Sequence, residues 1–230
     1  WEAGLRYETT DSEVASDGET FDNDYAELLP SAHLRWDLSD EDRVRASLAR
    51  TLRRPNFNFL DPITLEGEFG DNDFAGNPEL EPELAWGIDI GYERRLGAQG
   101  VIGVNFFWRD VDDLIELVNT GEPSETAIED FEDEVDEFLE ENPGAGPGTP
   151  GFPEFDPDSF VHSADNVGDG TVYGLEFDLS TPLTAIGLPN TGVFANYAWL
   201  DSEVDDALGE RQFNDQPDYV YNVGFIHDFP

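Results

Sequence analysis

The chain has 230 residues, of which 53 are Asp or Glu and 11 are Lys or Arg, so its formal net charge at neutral pH is -42. This charge argues against nucleic acid or an anionic bilayer surface as a partner, because both would repel it. The absence of cysteine excludes disulfides and thiolate sites, while 38% hydrophobic and 13% aromatic residues are too many for a disordered acidic tail.

The start of the chain carries no basic, apolar signal segment. It begins at Trp1 instead of Met, so we expect a fragment or a mature segment of a longer product. No run of about 18 apolar residues occurs, which excludes a transmembrane helix and leaves a transmembrane β-barrel open.

Eight segments alternate apolar and polar residues with the period of two that indicates a β-strand. In chain order they cover residues 1–7, 32–38, 44–48, 86–92, 102–108, 173–179, 193–199 and 219–225. Several are long enough to cross a hydrocarbon core, which takes about 9–11 residues of a tilted strand.

The connections between these segments alternate in length. Long, mostly acidic connections cover residues 10–26, 53–82, 119–170 and 201–217, and short ones cover residues 39–42, 96–100 and 181–191. In an up-and-down meander, alternate connections lie at the same end, so one end carries every long loop. This asymmetry is typical of outer-membrane barrels and predicts an all-β, antiparallel transmembrane barrel segment with long extracellular loops and short periplasmic turns.

The alternation also divides the strands into two faces. In a membrane, the apolar face would meet lipid through Trp36, Trp86, Ile88, Ile90, Tyr92, Ile102, Val104, Phe106, Trp108, Leu175 and Phe177. The other face would line a wet lumen with Arg35, Asp89, Glu93, Arg109, Glu176 and Asp178. The pattern alone fits equally well a soluble sandwich whose apolar face lies in a dry core.

The connection 119–170 is predicted to be a long extracellular insertion that contains a short helix. Within AIEDFEDEVDEFLEE, apolar residues recur at helical spacing, and the following NPGAGPGTPGFPEFDP contains too much Pro and Gly for regular structure. We favour a surface insertion over a ligand lid.

No motif for catalysis or metal binding stands out. His33, His162 and His227 are scattered, and none belongs to a nucleophile motif. The acidic segments 17–24 and 70–77 have the oxygen ligands that calcium prefers but not the spacing of an EF-hand, so we favour solvated loops. We therefore expect no catalytic residues, no metal site, no cofactor and no enzymatic activity.

Several blocks of the sequence resemble the barrel of TonB-dependent outer-membrane receptors. They are LPSAHLRWDLSDEDRVRASLARTLRRPNF, GNPELEPELAWGIDIGYERRL, FFWRDVDDLIE, GTVYGLEFDLS and FANYAWLDSEV, in that order. The resemblance implies a 22-stranded barrel, filled by an N-terminal plug, that imports scarce nutrients with energy passed on by TonB. This chain has about eight strands and no recognisable plug, so over residues 1–230 we expect an internal portion of such a barrel.

The resemblance also implies a place and partners for the chain. The place is the outer membrane of a Gram-negative bacterium, and the partners are membrane lipid, an imported small molecule (a siderophore, vitamin or carbohydrate), and TonB through a plug that this chain lacks. Arg54, Asn56, Phe57 and Asn77 are candidate substrate contacts in a long loop. Two alternatives remain open at this stage: a complete eight-stranded outer-membrane barrel, and a secreted acidic all-β enzyme or binding domain.

Overall fold

The structure is a computed structural model that describes residues 1–16, 19–67, 72–207 and 209–229. Its strands are β1 (Glu2–Ser16), β2 (Glu19–Asp37), β3 (Asp42–Arg53), β4 (Thr64–Leu65), β5 (Asp73–Ala75), β6 (Glu83–Leu96), β7 (Gly100–Pro123), β8 (Phe160–Leu183), β9 (Leu188–Asp206), β10 (Gly209–Arg211) and β11 (Tyr219–His227). The helices are α1 (Phe57–Leu60), α2 (Glu125–Glu141) and a 3₁₀ turn (Thr184–Ile186). Among these described helices, none is both long and apolar enough to span a membrane.

Eight long strands form one antiparallel sheet whose order follows the chain: β1, β2, β3, β6, β7, β8, β9 and β11. The short strands attach at one end, with β5 parallel to β8, β4 beside β5, and β10 beside β9. Because each long strand reverses direction, every long connection lies at one end, which we call the long-loop end. The predicted eight-stranded meander is confirmed.

The sheet is open, and this decides against both alternatives. In the described part of the chain, β1 pairs with β2 and β11 pairs with β9, but β1 and β11 do not pair with each other. A complete eight-stranded barrel is therefore wrong for this chain. A sandwich is also wrong, because Ile90, Phe106 and Phe177 lie on an open face with 51%, 37% and 47% of their surface exposed.

The apolar face is continuous because the register keeps equivalent residues in line across the sheet. One row of directly opposed residues consists of Ala46, Ile90, Phe106, Leu175, Trp199 and Tyr219. The next consists of Val44, Tyr92, Val104, Phe177, Tyr197 and Tyr221. A one-residue slip between any two strands would move the apolar side chains of one strand to the polar face. The observed register is therefore the one that keeps the apolar face continuous.

Several predicted loops are strands in the structure. β1 and β2 continue through most of residues 10–26, β7 and β8 extend into 119–170, and β9 extends to Asp206. The predicted limits of these loops were wrong because many charged and polar residues interrupt the apolar alternation in the extensions. Hydrogen bonds between backbone groups hold the extensions to the neighbouring strand. Because such bonds form with any side chain, they do not require alternating apolar and polar residues.

Gly174, in the YGLE block, lies where two strands and an aromatic ring meet. A Cβ atom there would lie 2.3 Å from the Trp199 carbonyl oxygen and 2.7 Å from the Phe107 ring, whereas one at Gly103 would lie 3.6 Å from its nearest neighbour, Tyr92 O. We expect Gly174→Ala to destabilise the folded protein by about 1–3 kcal/mol through overpacking. The matched Gly103→Ala should change stability by less than about 0.5 kcal/mol. Urea unfolding of both variants in lipid vesicles measures the difference, and equal midpoints would contradict it.

Candidate functional site

The buried part of the molecule lies at the long-loop end, where two loops pack against β7, β8 and β9 and a third is closed at its base by Ser124 and Ser159. We call this region the mouth; its loops comprise the described residues within 54–82, 124–159 and 207–218. Val111, Gly170 and Val204 are directly opposed across the sheet and lie on the same face as Arg109. The predicted lumen face therefore becomes apolar at the mouth, where loops cover it.

Loop 54–82 packs through its own small core. Leu60 and Leu80 bury against Ile115 and Ala164, with Leu80 only 1% exposed. The side-chain amide of Asn23 on β2 donates a hydrogen bond of 2.6 Å to the Leu80 carbonyl oxygen. This loop is thus fixed to strands on both sides of the mouth.

Loop 207–218 folds back over the opposite side of the mouth. Phe213 packs against a second core of Val111, Leu114 and Val204. Its ring lies so close to Gly170 that a Cβ at that glycine would be 2.5 Å away. The Phe213 amide donates to Ser202 Oγ at 3.0 Å, which fixes the backbone beside the ring.

Arg211 is the central charged group of the mouth. Its Nη2 atom lies 2.6 Å from Glu116 Oε2 and 2.6 Å from Asp206 Oδ2. The other carboxylate oxygen of Glu116, Oε1, accepts a hydrogen bond of 2.8 Å from the backbone amide of Asn214. Both carboxylate side chains are at most 7% exposed, so one guanidinium compensates two nearly buried charges and joins β7, β9 and the loop.

Another buried carboxylate, Glu83, lies beside a β-bulge in β7. The bulge leaves Asp113 at φ 59° and shifts the register between Val111 and Leu114. Glu83 accepts from Arg53 Nη1 at 2.9 Å and from the Ile115 amide at 2.9 Å. The carboxylate therefore satisfies a buried backbone donor next to the irregularity.

Helix α2 is held at its first turn by polar groups. The Ser124 hydroxyl caps the Ala127 amide at 3.1 Å and lies 2.5 Å from the Ser159 hydroxyl, which closes the base of the loop. The buried Asp73 carboxylate accepts the Glu125 amide at 2.9 Å. An anion at a helix N-terminus is favourable because the first amides have no partner within the helix.

The apolar face of α2 is covered by the residues that follow the helix. Phe131 packs on Phe155, with ring centroids 5.0 Å apart, and Phe138 packs on Phe152 at 5.5 Å. Ten of the 17 residues of α2 are Asp or Glu, and most of them lie away from the Phe131 and Phe138 side of the helix. The insertion is thus a small unit with its own apolar contacts and an acidic surface.

The base of α2 should respond to pH. The Glu66 carboxylate, followed by Glu129 and Asp73, raises the pKa of Glu125 above its ordinary value. The stabilising contribution of protonated Glu125 is present below the unfolded pKa of about 4.3 and is lost as pH rises through the higher folded pKa. We expect hydrogen exchange at Ala127 and Ile128, corrected for intrinsic rates, to be slower near pH 4 than at pH 7.

A glutamine substitution tests this assignment. Glu125→Gln should flatten the pH dependence of exchange in the first turn, whereas Glu137→Gln, on the exposed face of the same helix, should leave it unchanged. An unaltered profile in the first variant would contradict the role of Glu125.

The four candidate substrate contacts are not gathered at one point. Arg54 pairs with Glu8 on β1 at 2.5 Å, and Asn77 forms a turn by accepting the Glu79 amide at 3.0 Å. Asn56 precedes α1 without capping it, and Phe57 at the start of α1 is 90% exposed. Phe57 is thus the freest of the four, and contact with a substrate stays a prediction.

The predicted lumen residues share one face, where most of them form polar contacts with neighbouring side chains. Arg109 pairs with Asp89 at 2.8 Å, and Arg35 pairs with Asp37 at 3.1 Å. The remaining members have equally local surroundings: Glu93 lies near Arg43 and Arg45, Glu176 accepts from Asn105, and Asp178 lies opposite Gly103. An open cavity of about 540 Å³ lies over part of this face, beside His33, Arg45, Ser47 and Asp89. Whether this face lines a lumen and the other meets lipid stays a prediction.

The two acidic segments considered for calcium are partly outside the described residues, at 17, 18, 70 and 71. Within the described ranges, no group of three or more His, Asp or Glu side chains converges as a metal site.

Sequence reasoning missed the residues that organise the mouth, chiefly Arg211, Glu116 and Glu83. The partners Arg211 and Glu116 are 95 positions apart, so spacing gives no sign of them. One signal was present: Arg211 is the sole basic residue in the acidic stretch 201–217.

Comparison with known proteins places this geometry in a wider group. The family described as TonB dependent receptor-like, beta-barrel, matches residues 1–230. No curated protein matches the chain in sequence.

Solved structures show the same fold over nearly the whole chain. The copper transporter OprC is 20% identical, with a TM-score of 0.55 over 99% of this chain and 31% of its own. The alcaligin outer-membrane receptor FauA from Bordetella pertussis is 17% identical, with a TM-score of 0.53 and coverage of 99% and 31%. The siderophore receptor PirA from Acinetobacter baumannii is 14% identical, with a TM-score of 0.54 and coverage of 92% and 28%. The chain thus spans less than a third of each.

Proposed function

Because the chain belongs to the TonB-dependent receptor-like β-barrel family, a family of Gram-negative outer-membrane proteins, we propose that it is part of a receptor that imports a scarce nutrient. The nutrient belongs to the siderophore, vitamin or carbohydrate class. The role is transport and not catalysis. TonB acts on the receptor through a plug that lies outside this chain.

One observation carries the proposal: the sheet is open and has a continuous apolar outer face. An exposed face of this size is stable where hydrocarbon covers it, and an open edge is completed by further strands. We propose that lipid covers the apolar face and that the polar face, with Arg109 and Asp89, looks into the lumen. The long-loop end then faces the cell exterior, and the mouth is the first part that a nutrient meets.

Genetic disruption tests the proposal. Cells lacking the receptor should grow less well than the parent when one nutrient is limiting, and a panel of iron chelates, copper, cobalamin and oligosaccharides identifies which one. In a strain that already lacks TonB, removal of the receptor should cause no additional growth defect, because both proteins act in the same uptake pathway.

A further defect in the strain without TonB, or normal growth on the whole panel, would contradict import. Phe57→Ala and Arg54→Ala, introduced into the intact receptor, then test substrate contact. Reduced uptake with normal folding is the result expected from a contact residue.

A further inference from the structure

The charges of the chain are sorted along the barrel axis. The mouth loops are rich in carboxylates, and α2 alone carries ten of them and no basic residue. Four of the eleven arginines, Arg43, Arg45, Arg94 and Arg95, lie instead toward the short turns, where carboxylates such as Glu93 and Asp42 accompany them. A solute approaching the long-loop end therefore meets mostly negative charge.

The arginines near the mouth do not offset this charge, because carboxylates already hold them. Arg53 pairs with Glu83 at 2.9 Å, Arg54 with Glu8, and Arg211 with both Glu116 and Asp206. Ten of the eleven arginines form ion pairs of this kind: Arg6, Arg35, Arg43, Arg45, Arg50, Arg53, Arg54, Arg94, Arg109 and Arg211. The eleventh, Arg95, lies beside the short turn at residues 97–99.

An anionic ligand needs uncompensated donors, and a guanidinium held by one or two carboxylates offers little net charge to it. We propose that the mouth is a cation-selective vestibule, which concentrates positively charged solutes and excludes anions. Resting on the proposed import function, this narrows the proposed nutrient classes to neutral or cationic molecules and complexes, and excludes polyanionic chelates.

The selectivity belongs to the field of the whole mouth and not to a coordination site, since the described residues contain no converging group of metal ligands. Surfaces lined by one sign of charge carry potentials of several kT and change local ion concentrations by about 10- to 1000-fold. The Debye length is about 30 Å at 0.01 M ionic strength and about 3 Å at 1 M. The selectivity should therefore be strong in dilute buffer and nearly absent in concentrated salt.

Charged thiol reagents measure this potential in the intact receptor. The chain contains no cysteine, so Phe57→Cys places its single thiol on the 90%-exposed Phe57 position of the mouth. Any cysteine elsewhere in the receptor is replaced by Ser. Ala98→Cys, in the exposed turn between β6 and β7 near Arg95, is the matched control. Each thiol is reacted with a cationic and an anionic methanethiosulfonate of similar size.

The measured quantity is the ratio of the two rate constants, cationic over anionic. At 0.01 M salt we expect the ratio at position 57 to exceed that at position 98 by about 10- to 100-fold, and to approach it at 1 M NaCl. Neutralising four exposed carboxylates of α2 (Asp133→Asn, Asp136→Asn, Glu137→Gln, Glu140→Gln) should lower the ratio at position 57 and leave position 98 unchanged.

Equal ratios at the two positions, or a ratio that salt does not change, would overturn the vestibule. A nutrient identified as a polyanionic chelate whose uptake does not improve with added salt would overturn the substrate class. The thiol rate constants can be measured without TonB and without a nutrient. They therefore test the cation selectivity of the mouth separately from the import function.

Discussion

Arg211→Ala is expected to release loop 207–218 from the mouth at a cost of about 3–5 kcal/mol, the largest effect of any single substitution considered for this chain. The reason is the burial of its partners: the Glu116 and Asp206 side chains are 7% and 6% exposed. Removing the guanidinium leaves two carboxylates close together and poorly hydrated. Each must then recover water by opening the loop.

Hydrogen exchange in the intact receptor measures this cost locally. The amides of Phe213 and Asn214 donate to Ser202 Oγ and Glu116 Oε1, so their protection reports the closed loop directly. A loss of about 3–5 kcal/mol corresponds to about 150- to 5000-fold faster exchange, at 1.36 kcal/mol for each factor of ten. The matched control is Arg35→Ala, whose pair with Asp37 is 58% and 49% exposed and should contribute at most about 1 kcal/mol.

The cause of the effect can be separated from a loss of packing. Adding Glu116→Gln and Asp206→Asn to the Arg211→Ala variant removes the two negative charges that the guanidinium had compensated, so protection should recover in part. Two results would show that the ion cluster does not hold the mouth closed. One is that Arg211→Ala opens the loop no more than Arg35→Ala does. The other is that Glu116→Gln and Asp206→Asn restore no exchange protection to the Arg211→Ala variant.

The spanning part of the fold follows from alternation, since one face of each strand is apolar over its whole crossing. Phe106 and Ile90 lie on the same face in the sequence pattern and directly oppose each other in the sheet. Above the apolar band this signal ends. Residues 10–16 and 19–26 form strands whose large apolar residues (Val14, Phe21 and Tyr25) are too few for a clear alternation, so ladder hydrogen bonds hold them and the sequence pattern does not reveal them.

The mouth was beyond prediction for a different reason. Its cores join residues far apart in the chain, such as Leu80 with Ala164 and Phe213 with Val111. Loop residues of this kind have no periodicity, and the contacts depend on the bulge at Asp113 and on the register of three strands. The helix α2 is the exception, because its apolar spacing and the Ser124 cap are local signals.

Two separate variants, each with an arginine introduced at one of two adjacent positions, test which face meets lipid. Phe106→Arg places a guanidinium in the middle of the apolar rows, opposite Ile90 and Leu175. On a lipid-facing position near the midplane this costs about 2–4 kcal/mol. Asn105→Arg places the same group on the polar face, where the native amide already donates to Glu176 at 3.2 Å and an ion pair can replace that bond. Its cost should be below about 1 kcal/mol.

The two variants differ by one position, so composition, net charge and strand propensity are the same in both apart from the residue lost. Folding of the receptor into lipid vesicles, followed by urea unfolding and the gel mobility of unheated samples, gives the free energy of each. Lipid on the apolar face requires Phe106→Arg to be the less stable by at least about 1 kcal/mol. Equal stabilities would mean that both faces meet similar surroundings, and greater damage from Asn105→Arg would reverse the assignment. The pair thus tests the orientation on which the lumen, the mouth and the direction of import all depend.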